Sequence, residues 1–287
     1  MMTAAPILKS QPLSPGKEEF TVLSLLSHRD ILSYLVAIKS FHHFASPRHI
    51  SIICDPSITA RDCELLLSHI PFATLTPMAT YTDNRIPTGG CWERLHALCI
   101  AAQYGYVVQL DSDTVTTNPI DEVANSVRLG RGFIMGIRPQ QQLNSLGELY
   151  TATESMRARV NQMHVQHQIE YSLPRIGYQP DRSYTTGWAA FTGFPQEATL
   201  QEQLFDLAAR LRALVGSSLE QWGSEMVAAS FIAANTSGAF VLPFPKYCTP
   251  ANGEDGIALH HFVGSFRFNG PRYARITQYA LREVLQL

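Results

Sequence analysis

The stretch Tyr106-Val107-Val108-Gln109-Leu110-Asp111-Ser112-Asp113 decides the reading of the fold. Its first five residues are apolar at nearly every position, the pattern of a central strand covered on both faces. Gly105 turns the chain into it, and two carboxylates spaced i, i+2 stand where it ends. Working outward, residues 91 to 104 carry apolar side chains at close to helical spacing and predict a helix just before the strand. Upstream, Phe20 to Leu26 and His49 to Cys54 read as strands, with 72 to 78 a weaker third. The first leads into a helix through Phe44 that Ser27 or Asp30 is placed to cap, the second into a helix over 60 to 69 capped by Thr59. Strands alternating with helices argue for an α/β protein with a mostly parallel, helix-wrapped sheet.

Downstream the pattern loosens. Phe133 to Ile137, Trp188 to Thr192 and a Pro-broken Phe240 to Phe244 read as strands. Residues 145 to 171 form a polar, helix-prone stretch, and helices are expected over 197 to 215 and 222 to 234. No repeat or long linker divides the chain, so one domain is expected from residue 20 onward. Residues 1 to 19, with Pro6, Pro12, Pro15 and Gly16, read as a flexible tail.

Composition excludes some partners. With 22 basic and 24 acidic residues there is no cationic excess to hold nucleic acid, and no charge run to hold a membrane surface. No run of ~20 apolar residues offers a membrane span, and no secretory leader is evident. The five cysteines are odd in number and lack C-x-x-C spacing, which reads as reduced thiols in a cytoplasmic protein.

Two stretches carry chemistry. Asp111 and Asp113 at a strand end can share one hard cation, since Mg²⁺ and Mn²⁺ take carboxylate, water and phosphate oxygens. The alternative is a turn in which the two aspartates merely cap Thr114 to Asn118. Near the C-terminus, His260-His261-Phe262-Val263-Gly264-Ser265-Phe266-Arg267-Phe268 places an imidazole and a guanidinium around a flexible glycine. Arginine suits a diphosphate because its planar fork binds two oxygens at once; the bland reading is a strand with one packed histidine and a surface arginine. His164 and His167, at i, i+3 in a glutamine-rich helical stretch, read as a solvated helix face.

Taken together, these stretches resemble the GT-A glycosyltransferases. The C-terminal run is similar to the H-F-x-G-x-x-K-P-W stretch of the glycogenin-like and lipopolysaccharide galactosyltransferase-like retaining enzymes, with Arg-Phe-Asn replacing Lys-Pro-Trp. The resemblance implies a GT-A (Rossmann-like) fold: a mixed, mostly parallel sheet flanked by helices. It implies a donor-binding half over about 20–140 and an acceptor-side half over about 141–287. It further implies Mn²⁺ or Mg²⁺ held by Asp111, Asp113 and His261 against the diphosphate of a UDP-sugar. Ser112, Gly264 and Arg267 would line the phosphates, and Ser27 and Arg29 the nucleoside. Trp92-Glu93-Arg94-Leu95 resembles the aromatic-x-Arg-Leu helix of the same group, which puts Arg94 on the nucleotide or donor sugar. Tyr184-Thr185-Thr186-Gly187 is similar to an F-N-x-G stretch that faces the donor sugar, here with Thr185 for asparagine. Glu225, in Gln221-Trp222-Gly223-Ser224-Glu225, stands in the place of an acidic D-Q-D helix start, as a contact to sugar or acceptor or as a base. The acceptor would be a hydroxyl of a glycan, lipid-linked glycan, protein or small molecule; the sequence leaves the oligomeric state open.

Three rivals share some of these letters. Haloacid-dehalogenase phosphatases also place D-x-D after an apolar strand, with Asp111 as nucleophile. They carry it on their first core strand, however, and Lys246 with Glu254-Asp255 poorly imitates their later motifs. Nucleotidyltransferases need a glycine-rich cationic loop that Ser27 to Asp30 does not provide. A nucleotide-sugar-binding protein without catalysis is the third.

Overall fold

The computed structural model describes residues 2–153, 163–249 and 255–287. The strands in chain order are β1 (Glu18–Leu26), β2 (Pro47–Cys54), β3 (Thr74–Pro77), β4 (Val107–Leu110), β5 (Thr114–Thr116), β6 (Phe133–Gly136), β7 (Asn144–Ser145), β8 (Ser183–Tyr184), β9 (Gly187–Phe194), β10 (Phe240–Val241), β11 (Tyr247–Cys248) and β12 (Leu259–His261). The helices are α1 (Ile31–Ala45), α2 (Ala60–His69), α3 (Trp92–Ala101), α4 (Asp121–Leu129), α5 (Leu146–Thr153), α6 (Val165–Ser172), α7 (Leu200–Val215), α8 (Ser224–Ala234) and α9 (Arg272–Tyr279). The predicted helical stretch 145–171 thus contains α5 and most of α6, and its residues 154–162 lie outside the described residues, as does Glu254.

Seven strands form the main sheet in the order β10-β6-β9-β4-β1-β2-β3. β1 pairs in parallel with both β2 and β4, so the chain runs outward through β2 and β3 and then returns to the other side of β1. That reversal opens a crevice beyond the carboxyl ends of β1 and β4, the position where open α/β sheets bind ligands. β9 enters antiparallel between β4 and β6, which makes the sheet mixed.

Alternation along the strands divides the apolar side chains between two cores. Val22, Val108 and Leu110 face the layer that contains α1, α2 and α9, while Leu23 and Val107 face the layer of α3, α6, α7 and α8. All four residues of β4 are buried, Gln109 included, as its nearly continuous apolar pattern leads one to expect.

Two local expectations are corrected. Residues 2–9 are not a free tail: they form a 3₁₀ helix whose Ala4 and Ile7 are buried in the core shared with α1 and α9. Apolar side chains at Ala4 and Ile7 outweigh the local proline signals, because burying them removes apolar surface from water. Thr59 does cap α2, through a reciprocal pairing with Asp62. Neither Ser27 nor Asp30 caps the helical turn that opens α1, since the Asp30 carboxylate is engaged elsewhere.

A second, three-stranded sheet was absent from the sequence reading. β12 pairs antiparallel with β5 and parallel with β11, aligning His261 with Thr114 and His260 with Val115. β5 follows Asp113 directly, so this ladder carries the C-terminal segment to the mouth of the crevice.

Candidate active site

β4 ends at Leu110, and Asp111 anchors the turn that follows: its amide donates to the Ala190 carbonyl of β9 at 2.9 Å, and its own carbonyl accepts from the Thr114 hydroxyl at 2.8 Å. The turn presents Asp111, Ser112 and Asp113 to a crevice of about 360 Å³. From the opposite side, the Phe262 amide donates to the Asp113 carbonyl at 2.9 Å, which sets His261 beside the two carboxylates. One ligand atom from each of Asp111, Asp113 and His261 lies within 4.8 Å of the other two. His261 Nε2 is 3.5 Å from Asp113 Oδ1, and the Trp188 ring stands edge-on to the imidazole with centroids 5.4 Å apart.

The electrostatics favour a cation here. Four carboxylates, those of Asp30, Asp111, Asp113 and Glu225, face two enclosed guanidiniums, Arg94 and Arg267, and the exposed Arg29 beside Asp30. Burial pushes the Asp113 carboxyl up to about 6 and raises that of Asp111, and burial also holds the His261 imidazole down at about 4. A neutral imidazole is the ligating form. Among the described residues, Asp113 Oδ1 and His261 Nδ1 are buried with no hydrogen-bond partner, although buried polar atoms are ordinarily paired. Two carboxylates and one imidazole, with unpaired atoms and surplus negative charge, fit a divalent cation such as Mn²⁺ or Mg²⁺.

Arg94, on α3, is 6% exposed and divides its fork between two carboxylates. Nη1 donates to Asp111, and Nη2 to Glu225 Oε1 at 3.1 Å. Burial works against the guanidinium charge, but Asp111 and Glu225 outweigh it and raise its pKa above the usual arginine value. Glu225 sits in the first turn of α8, and burial lifts its carboxyl to about 7 despite the Arg94 partner. Arg94 therefore ties the D-x-D turn to the start of α8.

Arg267 makes the corresponding tie on the other side. Its Nη1 donates to Asp30 Oδ1 at 2.6 Å, and its Nε lies 3.9 Å from Asp113 Oδ2. Asp30 also accepts from the Ser27 hydroxyl at 2.7 Å and lies 3.5 Å from the Arg29 Nε. Burial opposes ionisation of Asp30, yet the Ser27 and Arg267 hydrogen bonds hold its carboxyl below the usual range. Gly264, at φ +56, occupies the left-handed region and lines the crevice beside Val263. An adjoining, mostly apolar cavity of about 320 Å³ shares Arg29, Asp30, Gly264 and Arg267 with the crevice.

Of the residues singled out in the sequence, Ser27, Arg29, Arg94, Asp111, Ser112, Asp113, Glu225, His261, Gly264 and Arg267 line this crevice. Thr185 and Gly187 do not. Thr185 is 2% exposed and accepts from Gln141 Nε2 at 2.6 Å, behind the crevice wall. Gly187 packs against β6, where an added Cβ would meet Ile134 Cγ2 at 2.3 Å. His164 and His167 do not line it: the former caps α6 through Gln166 and packs behind the rim, the latter pairs with Glu170 at 3.1 Å. Trp188, the first residue of β9 to face the crevice, was read only as the start of a strand. Its one signal was a large amphipathic residue directly after a glycine, which does not by itself point to a site.

No protein-family model matches the sequence, and no curated protein does. Solved structures do match in three dimensions. LgtC, a galactosyltransferase in complex with donor and acceptor sugar analogues, superposes with a TM-score of 0.52 at 10% identity, covering 90% of this chain and 95% of that one. An active-site mutant of LgtC gives 0.52 at 12% identity, covering 91% and 95%. The fold is GT-A. The bifunctional glycosyltransferase WbbM matches over 93% of this chain with a TM-score of 0.51 at 14% identity, and the present chain spans 53% of WbbM's length. The Asp111-Ser112-Asp113 turn after β4 and the His261-Phe262-Val263-Gly264 run that begins in β12 are joined by the β5–β12 ladder. Among the described residues, no helix is long and apolar enough to cross a membrane.

Proposed function

We propose that this protein is a glycosyltransferase that moves a sugar from a nucleoside diphosphate donor, a UDP-sugar, to an acceptor hydroxyl with retention of configuration. The observation that carries the reading is the convergence of Asp111, Asp113 and His261 on one point of the crevice, within reach of Arg267. Asp111, Asp113 and His261 would hold Mn²⁺ or Mg²⁺, which when bound neutralises diphosphate charge as a Lewis acid. Arg267 is placed to add a fixed positive charge beside the phosphates, and Gly264 to let them approach the backbone. Ser27 and Arg29 border the nucleoside. Arg94 keeps Asp111 aimed into the crevice and holds Glu225 at its edge, where the carboxylate is available to a hydroxyl of the donor or acceptor sugar.

In the transfer, the acceptor oxygen bonds to the anomeric carbon while the bond from that carbon to the phosphate oxygen breaks. The electron pair leaves with the nucleoside diphosphate, and the acceptor proton passes to the departing phosphate oxygen. The protein's contribution is preorganised charge at the leaving group and positioning of the reacting atoms. The resemblance of the C-terminal run to retaining enzymes supports retention.

The test is a panel of UDP- and GDP-sugars incubated with the protein and Mn²⁺, read by released nucleotide, alongside calorimetric titration of UDP with and without Mn²⁺. Nucleotide release from at least one donor, with UDP affinity that depends on the ion, is the expected result. Ion-dependent binding without release from any donor would make the protein a nucleotide-sugar-binding module. Neither binding nor release would overturn the reading altogether.

A further inference from the structure

Leaving an indole in water forfeits a large burial term, so an exposed tryptophan beside a polar crevice calls for a reason. Trp222 is 69% exposed, whereas Trp92 is 1% exposed and Trp188 is half-buried. It sits on the rim of the crevice, its Cα 3.8 Å from where a Gly90 Cβ would lie, three residues before Glu225.

The exposure is not that of a loose loop. Gly223 follows at φ +98, and the Ser224 hydroxyl donates to the Leu219 carbonyl at 2.7 Å while accepting from Trp92 Nε1 at 2.9 Å. Both bonds are buried; the first closes the turn on itself and the second fastens it to α3. The His164 ring supports the indole edge-on, with centroids 6.5 Å apart and planes at 70°. Trp222 is therefore an open aromatic surface fixed at the edge of a crevice walled by carboxylates and a guanidinium.

A rigid aromatic side chain supplies wide contact area at low cost in conformational entropy. The occupant that suits it needs a flat apolar face for the indole and a polar rim for Glu225 and its neighbours. A pyranose ring has both, with C–H bonds on its faces and hydroxyls around its edge. A serine or threonine side chain has no face to stack, and an alkyl chain has no polar rim. We propose that Trp222 is the platform on which a pyranose ring of the acceptor lies, so that the acceptor is a glycoside rather than a protein side chain or a simple lipid alcohol. This deepens the transferase reading and rests on it for the direction of transfer, but the platform itself is testable without turnover.

The experiment uses the full chain, ¹⁵N-labelled, with UDP and Mg²⁺. Its three tryptophans give three indole N–H signals, and the signal missing from Trp222→Phe identifies Trp222. Methyl glucopyranosides and galactopyranosides are titrated in, with sorbitol and a blocked serine–threonine peptide as controls. At least one pyranoside is expected to shift the Trp222 signal saturably while the Trp92 signal stays put; neither control should do so. In the transfer assay with that glycoside, Trp222→Ala is expected to raise its KM about tenfold or more with kcat within about threefold, and Trp222→Phe to keep most of the wild-type KM. An unmoved Trp222 signal with every pyranoside, or an unchanged KM in Trp222→Ala, overturns the platform. A Trp222 response without nucleotide release from any donor would sink the transferase reading and leave the platform standing. Release stimulated by the peptide and not by any glycoside would do the opposite.

Discussion

The Phe262 amide and the Asp113 carbonyl are joined at 2.9 Å, one step along the antiparallel ladder in which His261 faces Thr114. This contact makes a single site out of two distant stretches of chain. It fixes backbone to backbone, so the neighbouring side chains of Asp113 and His261 inherit their separation from the strand register. Along β12, Leu259 and His261 point to one face and His260 to the other, and all three are buried.

Asp113→Ala is expected to abolish ion-dependent UDP binding while the ladder, which uses only the Asp113 backbone, persists. The loss should exceed about 100-fold, more than is typical for removing an outer-shell partner. Calorimetry with and without Mn²⁺ measures it; unchanged ion-dependent affinity in this variant, or in His261→Ala, would remove that residue from the ligand set.

Arg94→Ala should be the more damaging change to the fold. It leaves the buried Glu225 and the half-buried Asp111 carboxylates without their shared cation. Breaking such a pair from one side costs about 3–5 kcal/mol. Urea denaturation is the measurement, and Glu225→Gln, which keeps an acceptor for Arg94 Nη2, should cost distinctly less.

Gly187→Ala separates packing from ligand contact. Its new methyl would strike Ile134 Cγ2 and the Met135 carbonyl rather than enter the crevice. Overpacking of this kind costs about 1–3 kcal/mol. The expected result is a lowered melting temperature with UDP affinity, measured below the transition, close to wild type. Weakened binding in a fully folded Gly187→Ala protein would return this residue to the donor site.

Lys39 gives a pH signature. It is enclosed in α1, where its ammonium donates to the Gln11 carbonyl at 2.6 Å, and burial lowers its pKa from 10.5 to about 8. The unfolded chain therefore binds more protons than the folded one between these values, and this residue's contribution to stability rises with pH across that window. Below about 8 the ammonium is charged in both states and the folded state bears its desolvation. The stability of the wild type relative to Lys39→Met should climb from pH 8 to 10.5, as followed by denaturation at fixed ionic strength. A flat difference would show that the ammonium is adequately solvated in place.

Much of this was legible in the chain because local pattern and tertiary environment agree. β4 announces itself by four consecutive buried positions, and α2 by the Thr59–Asp62 pairing at its start. The D-x-D turn is legible for the same reason, being polar where a buried strand stops. Less legible were features made by distant partners. The Asp30 carboxylate has the sequence context of a helix cap, but Arg267 claims it from the far end of the chain. β5 and β12 are three residues each, too short for a periodicity to register. Thr185 has the chain position of a donor-sugar contact, yet Gln141 draws it behind the wall. Ala4 and Ile7 lie in a proline-marked stretch, and only the apolar bed under α1 and α9 holds them in place.

The three-residue ladder between β5 and β12 also sets a timetable. The strands β1 to β4, the D-x-D turn and α3 all leave the ribosome well before Leu259 does, so Arg94 and Asp111 are synthesised long before the imidazole. On the proposed assignment, the third ligand for the ion would be in place only when His261 and Phe262 emerge and zip onto Thr114 and Asp113. An ion or nucleotide that binds only the zipped form then drives this last step forward. On that assignment the ligand would act as a latch on the finished chain.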